Sequence, residues 1–96
     1  MAEPSKLQIY EVERSDGHGG VCTVRCIAGI ARVGQTFFVS EGAAEEVSAD
    51  SRIALTVIER YRRNVDFFDP PNTARVFLSG DSVRYLSRGS VISEVL

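Results

Sequence analysis

Hydrophobic and polar residues alternate along most of this chain, in short segments separated by turn residues. The turn residues gather at 15–20 (SDGHGG), 28–34 (AGIARVG), 69–72 (DPPN), 79–82 (SGDS) and 87–89 (SRG). Val, Ile, Phe and Thr dominate between these points, and such residues favour strands. Short strands with turns at this regular spacing predict a small β-sandwich or β-barrel.

The alternation divides into six or seven strands. Side chains of a strand point alternately to its two faces, so residues two apart share a face. Leu7 and Ile9 therefore share one face, as do Cys22, Val24 and Cys26. We predict strands at 7–14, 20–27, 35–39, 52–61 and 73–79, followed by VRYL (83–86) and SVIS (90–93).

In the fourth strand, strict alternation puts Ile53, Leu55 and Val57 on one face and Ile58 on the other. Among the turns, Gly34, Gly80 and Gly89 follow apolar or turn residues. We expect some of these glycines to have positive φ, which glycine adopts without steric cost.

One stretch, residues 40–50 (SEGAAEEVSAD), does not alternate. Ala and Glu favour helix, but the stretch is short and lies between Gly42 and Asp50. We interpret it as a polar loop with room for one helical turn. The chain length predicts a single domain over 1–96, with residues 1–6 as a flexible N-terminus.

The composition is ordinary for a globular domain, but the charge balance argues against one class of function, the general coating of nucleic acids. The formal net charge is −2, whereas proteins that coat nucleic acids carry a basic excess that neutralises phosphates. A small, shaped RNA site remains compatible with this charge. Ten of the eleven basic residues are Arg; they are either solvated surface or forks that recognise phosphate or carboxylate.

Nothing in the sequence directs the chain to a membrane. The start, MAEPSKLQIYEVER, has no apolar leader, and no apolar run approaches the roughly 20 residues that span a bilayer. We therefore expect a cytoplasmic protein with no membrane partner.

The two cysteines are expected to be buried thiols. On one strand, Cys22 and Cys26 lie about 13 Å apart, beyond the reach of a disulfide or of one shared zinc ion. His18 is the only histidine, and no carboxylates cluster beside it to complete a four-ligand site. We expect no metal site.

No catalytic arrangement is evident. The DGHGG cluster (16–20) lacks the Lys of a phosphate-binding loop, and Cys22 stands where the dinucleotide pattern needs its third glycine. A hairpin turn is the better interpretation. Asp16 lies near His18, but no nucleophile has a constrained relation to this pair. We expect neither an enzyme nor a cofactor.

Two segments are candidates for binding. In ERYRR (59–63), Arg60, Arg62 and Arg63 surround Tyr61, a combination that can hold phosphate and stack a base; the alternative is a solvated strand end. In DFFDPPN (66–72), we expect one of the two phenylalanines to cap the core and the other to be exposed.

The tail ARVFLSGDSVRYLSRGSVI (74–92) resembles the end of the second-domain β-barrel of translational GTPases of the elongation factor Tu type. VIERYRR (57–63) is similar to another strand of that barrel, and residues 19–39 to its opening hairpin, with Val33–Gly34 at the matching step. The resemblance covers about residues 7–95. The matching tail positions are Ala74, Val76, Leu78, Gly80, Leu86, Arg88, Gly89, Val91 and Ile92.

The resemblance implies a closed or nearly closed antiparallel β-barrel of six to seven strands, with Arg88–Gly89 as the tight turn before the closing strand. It also implies contact with the aminoacylated end of tRNA, or with rRNA, through Ile30, Val33 and Glu59. The family's GTPase domain is absent from these 96 residues, so we expect no nucleotide hydrolysis. Arg25 and Asn72 depart from the family pattern.

Together, these observations predict a non-catalytic, stand-alone translation-factor-like β-barrel that binds tRNA, rRNA or a translation component. Its predicted contact surface combines the turn Ile30–Val33, including Arg32, with Glu59 and the strand end Arg60–Arg63. The alternative is a protein-interaction or scaffold subunit that no longer contacts RNA.

Overall fold

Antiparallel strands form most of the chain, as a computed structural model shows for residues 3–42, 47 and 51–96. The all-β fold class is thereby confirmed. The predicted loop 40–50 lies mostly outside the described residues. The strands are β1 (Lys6–Ser15), β2 (Gly19–Ala28), β3 (Ala31–Arg32), β4 (Thr36–Glu41), β5 (Ile53–Arg60), β6 (Arg63–Val65), β7 (Phe67–Phe68), β8 (Thr73–Ser79) and β9 (Val91–Glu94).

Seven of these strands form one sheet in the order β4-β9-β1-β2-β8-β5-β6. Strand β4 also pairs with β5, through Thr36 with Ala54 and Phe37 with Ile53. The hydrogen bonds therefore run in a ring from β4 through β9, β1, β2 and β8 to β5 and back. Because β6 pairs with β5 outside this ring, it is an edge strand. Strands β3 and β7 form a separate pair.

The inward side chains of the ring form one hydrophobic core. The predicted shared faces are confirmed, since Leu7 and Ile9 are fully buried, as are Cys22, Val24 and Cys26. Burying such side chains contributes about 1.5–3 kcal/mol each. The largest fully buried side chains are Phe37, Phe68, Leu7, Ile9, Ile53, Leu55, Ile58, Ile92, Val24, Val76, Val83 and Cys22.

A β-bulge in β5 overturns part of the predicted alternation. Leu55 pairs with Leu78 and Val57 pairs with Phe77, so Thr56 is an extra residue on β5. Its hydroxyl donates a hydrogen bond to the Phe77 carbonyl at 3.0 Å. The extra residue reverses the faces after it, so Ile58 is fully buried and Val57 is not. The prediction that Val57 shares the face of Ile53 and Leu55 was wrong.

The predicted strand VRYL (83–86) is a 3₁₀ helix instead, covering Asp81–Tyr85. The amide of Leu86 donates to the Val83 carbonyl at 3.0 Å. A 3₁₀ helix has three residues per turn, so Val83 and Leu86 lie on one side, where both are buried. Two apolar residues three apart fit this geometry better than a strand.

Three short strands were not predicted: β3, β6 and β7. Each has two or three residues, too few to show an alternation. The segment interpreted as an opening hairpin (19–39) is also different. Strand β2 lies between β1 and β8, whereas β4 lies between β9 and β5, so these two consecutive long strands are not neighbours.

The turn before the last strand agrees with prediction. Gly89 has a φ of 94°, and Gly34 and Gly80 also have positive φ. The Gly89 amide donates to the Ile9 carbonyl at 2.8 Å, which holds the turn against β1. From there β9 runs between β1 and β4 and completes the ring.

Within the stretch expected to be a flexible N-terminus, Ser5 is fully buried. Its hydroxyl donates to Oε1 of Gln35 at 2.9 Å, and its amide donates to Oε1 of Glu94 at 3.0 Å. Strand β1 begins at the next residue. Of the residues that the structure describes, none forms a helix long and apolar enough to cross a membrane.

The DGHGG cluster forms the turn of the β1–β2 hairpin, as predicted. Asp16 Oδ1 accepts hydrogen bonds from the amides of His18 at 2.7 Å and Gly19 at 3.0 Å. A Cβ added at Gly19 would collide with the Leu78 carbonyl, and one at Gly20 would lie 2.5 Å from the Arg14 carbonyl. Close backbone packing therefore explains both glycines.

Replacing Gly19 by alanine is expected to lower the free energy of unfolding by about 1–3 kcal/mol, because the added methyl forces β2 away from β8. Gly17→Ala is the matched control in the same turn, since a Cβ there has no neighbour within 4 Å. Urea denaturation of both variants measures the effect. Equal stability of the two would contradict the packing explanation.

Candidate binding surface at the β5–β6 hairpin

The β5–β6 hairpin ends in a two-residue turn that displays an aromatic ring. Arg60 pairs with Arg63, and Tyr61 and Arg62 between them have φ of 52° and 64°. Positive φ at both central residues defines the type I′ turn, whose twist matches that of the flanking strands. Tyr61 is 87% exposed. The turn therefore projects its ring into solvent.

One arginine lies against this ring, and two more are adjacent in the turn. The Arg60 guanidinium carbon lies 5.3 Å from the centroid of the Tyr61 ring, within cation–π distance. Arg62 and Arg63 are exposed. We call residues Arg60–Arg63 the hairpin tip. The structure thus places the four residues of the predicted strand end in one tight turn, with Arg60 against the exposed ring and two further exposed arginines beside it in the chain.

Glu59, the fifth residue of this segment, is engaged with Arg75 of β8. Arg75 Nη1 lies 3.3 Å from Glu59 Oε1, and Arg75 Nε lies 2.9 Å from Glu13 Oε2. Hydrogen bonding to Glu13, and then to Glu59, raises the pKa of Arg75 above its ordinary value. The Arg75 guanidinium also stacks over Phe77 at 5.3 Å. Glu59 is therefore part of a network of ion pairs on the outer face of the sheet, centred on Arg75.

A cleft of about 430 Å³ lies between the hairpin tip and the start of β8. Its lining mixes apolar groups with charged ones, Glu59, Arg60 and Arg75, which suits a ligand that has both an apolar surface and charge. The lining residues are Thr23, Glu59, Arg60, Tyr61, Pro71, Asn72, Thr73, Ala74 and Arg75.

The other predicted contact residues lie in or next to the β3–β7 pair. Ile30 is 41% exposed and Val33 is 43% exposed. The Arg32 guanidinium lies 5.5 Å from the ring centroid of Phe67, and that ring is 52% exposed. Phe68 is buried, which confirms that one phenylalanine of this segment is exposed and the other is in the core. These residues form a second group, distinct from the hairpin tip.

Sequence reasoning missed the link between Arg75 and Glu59. The alternation of residues 73–79 places Arg75 and Phe77 on the outer face, and the structure agrees. Their partners depend on strand register, which pairs Glu59 with Arg75 and Arg75 with Thr23. A single strand's pattern carries no signal for those neighbours.

The two cysteine thiols and the Asp16 carboxyl lie in positions that support the fold. Cys22 and Cys26 are free, buried thiols, as predicted. The pKa of the Asp16 carboxyl is lowered, chiefly by the hydrogen bond from the His18 amide, and its bonds from the His18 and Gly19 amides make it the cap of the turn. Among the residues that the structure describes, no three His, Cys, Asp or Glu side chains are grouped to hold a metal ion.

Burial raises the pKa of the Cys22 thiol from 9.0 to about 11. Below pH 9 the Cys22 thiol is protonated in both the folded and the unfolded chain, so its ionisation does not lower the free energy of unfolding. Between about pH 9 and 11 only the unfolded chain ionises, and we expect the free energy of unfolding to fall. Cys22→Val should flatten the decline in urea denaturation across this range; an unchanged slope would contradict it.

Comparison with models of protein families gave no match for this chain. No curated protein matches it either. The resemblance to translation-factor barrels therefore rests on the sequence positions given above and is compatible with the ring of paired antiparallel strands.

Proposed function

We propose that this chain is a non-catalytic RNA-binding module of the translation apparatus, and that its ring of strands is a small barrel like the second domain of translational GTPases. The order and spacing of the matching sequence positions support the barrel type. The RNA that such a module would meet is tRNA or rRNA. Fold alone carries no function, so the proposal depends on the surface.

The observation that carries the proposal is the hairpin tip. An exposed aromatic ring offers a stacking surface to any base, and adjacent arginines neutralise the phosphates on either side. Arg60 already stacks over Tyr61, so the ring is positioned before a ligand arrives. With a net charge of −2, binding would be confined to this local cluster.

The test is fluorescence anisotropy of a labelled single-stranded RNA, titrated with the protein between about 50 and 200 mM salt. We expect affinity to decrease with salt and Tyr61→Leu to weaken binding about 5- to 100-fold, the effect of removing one stacked base. Phe38→Leu, at an exposed ring on β4, is the control. Equal affinity of the Tyr61 and Phe38 variants would refute the proposal.

A protein-interaction subunit is the second candidate, favoured by the β3–β7 pair. Ile30, Val33 and Phe67 expose apolar side chains around Arg32, and exposed apolar groups rimmed by charge suit protein contacts. Such an interface would depend weakly on salt and would be insensitive to the hairpin-tip variants. Loss of protein-partner binding in Phe67→Ser but not in Tyr61→Leu would assign this surface to a protein.

A further inference from the structure

The outward-facing side chains of β8 form a continuous row that begins near the hairpin tip. Thr73, Arg75, Phe77 and Ser79 are exposed or half-buried, whereas the residues between them are buried. Successive outward residues of a strand lie about 6.6 Å apart, so this row extends for about 20 Å. It begins beside Tyr61, since Thr73, Arg75 and Tyr61 line the same cleft. We call Thr73, Arg75, Phe77 and Ser79 the β8 row.

A second cleft lies at the far end of the β8 row. It has a volume of about 520 Å³, and Phe77 and Ser79 contribute to its wall together with Arg14, His18 and Thr56. Arg75 lines the first cleft and stacks over Phe77, which lines the second. The two clefts are therefore joined by this stacked pair.

Charge along the β8 row is uneven. An arginine lies at each end: Arg60 of the hairpin tip lines the first cleft, and Arg14 lines the second. In the middle, Glu13 and Glu59 both bind Arg75. Asp16 also lines the second cleft, where two backbone amides occupy one of its oxygens. The hairpin-tip end therefore suits a phosphate, the far end offers one arginine beside one carboxylate, and the middle suits an uncharged base or sugar.

We infer that single-stranded RNA binds along the β8 row, with one base on Tyr61 and a second against the Arg75–Phe77 pair. This inference rests on the proposed function, and it adds where the bound RNA strand runs and how many nucleotides it spans. Aromatic rings at intervals between cationic groups are the usual means of holding a single strand without reading its sequence. A path of this length takes about four to six nucleotides.

The experiment measures the affinity of labelled oligouridylates of about two, four, six and eight nucleotides. Affinity should rise up to about six nucleotides and then level off. Phe77→Leu keeps an apolar side chain but removes the ring, and it should weaken six-nucleotide binding about 5- to 100-fold. Binding of the dinucleotide, which reaches only the hairpin tip, should be unchanged. Thermal unfolding establishes that the Phe77 variant is folded.

A second variant tests the charge pattern without removing any ring. Glu13→Gln removes a carboxylate from Arg75, so we expect six-nucleotide RNA to bind more tightly, by about two- to tenfold. A purely structural ion pair would instead give unchanged or weaker binding.

The outcomes separate this inference from the proposed function. Binding that depends on Tyr61 but has no length dependence and no response to Phe77→Leu would overturn the path and leave the hairpin tip as the site. Absence of binding at every length would refute both.

Discussion

Replacing Ile58 by alanine is expected to lower the free energy of unfolding by about 2–5 kcal/mol, the range for truncating a buried isoleucine. The side chain is fully buried in the core of the ring, so the substitution leaves a cavity that its neighbours only partly fill. Stabilities of small domains are about 5–15 kcal/mol, and the change is therefore a large share of the total. Urea denaturation followed by circular dichroism gives the value.

The neighbouring residue supplies the control. Val57 is half-buried on the outer side of the bulge, so Val57→Ala should cost less than about 1 kcal/mol. Strict alternation through residues 52–61 predicts the reverse order. If Val57→Ala proved the more damaging variant, the bulge at Thr56 and the face assignment after it would be wrong.

Replacing Arg60, Arg62 and Arg63 together by glutamine is expected to weaken RNA binding at least about 30-fold at low salt. Each phosphate that is no longer neutralised should also reduce the slope of log affinity against log salt by about 0.7, or by about 2 for three phosphates. All three side chains lie at the hairpin tip outside the core, so stability should change little. Anisotropy titrations across a salt series provide both quantities.

Net charge needs its own control, because removing three cations from an acidic protein weakens its attraction to any polyanion. A triple variant of Lys6, Arg84 and Arg88 to glutamine removes the same charge at exposed positions away from the hairpin. It should keep most of the affinity and the salt slope. Equal effects in the two triple variants would show that binding reflects general charge and that the hairpin tip is not a site.

The fold was predictable where one alternation spans a whole strand. Leu7 and Ile9, and the pair Cys22 and Val24, are buried as their two-residue spacing indicates. After Thr56 the alternation no longer predicted which side chains are buried. The next two residues, valine and isoleucine, are both apolar, so the sequence pattern does not reveal the bulge that reverses their faces. Prediction also failed at Val83, where a three-residue apolar spacing was interpreted as part of a strand.

The candidate site was predictable only in its local part. Four consecutive residues, Arg60–Arg63, already contain a ring with three cations, and a tight hairpin keeps them together. Contacts between distant strands depend on register, which is a property of the whole sheet. For that reason the Glu13–Arg75–Glu59 network and the separate position of Phe67 emerged only from the structure.

RNA binding at the hairpin tip is tested most directly by an NMR titration. Amide shifts of labelled protein would be followed during addition of bulk tRNA and an rRNA fragment at low and moderate salt. We expect shifts concentrated at residues 59–63 and along β8, decreasing as salt rises. Shifts absent at both salts, or confined to Ile30–Val33 and Phe67 and insensitive to salt, would contradict it.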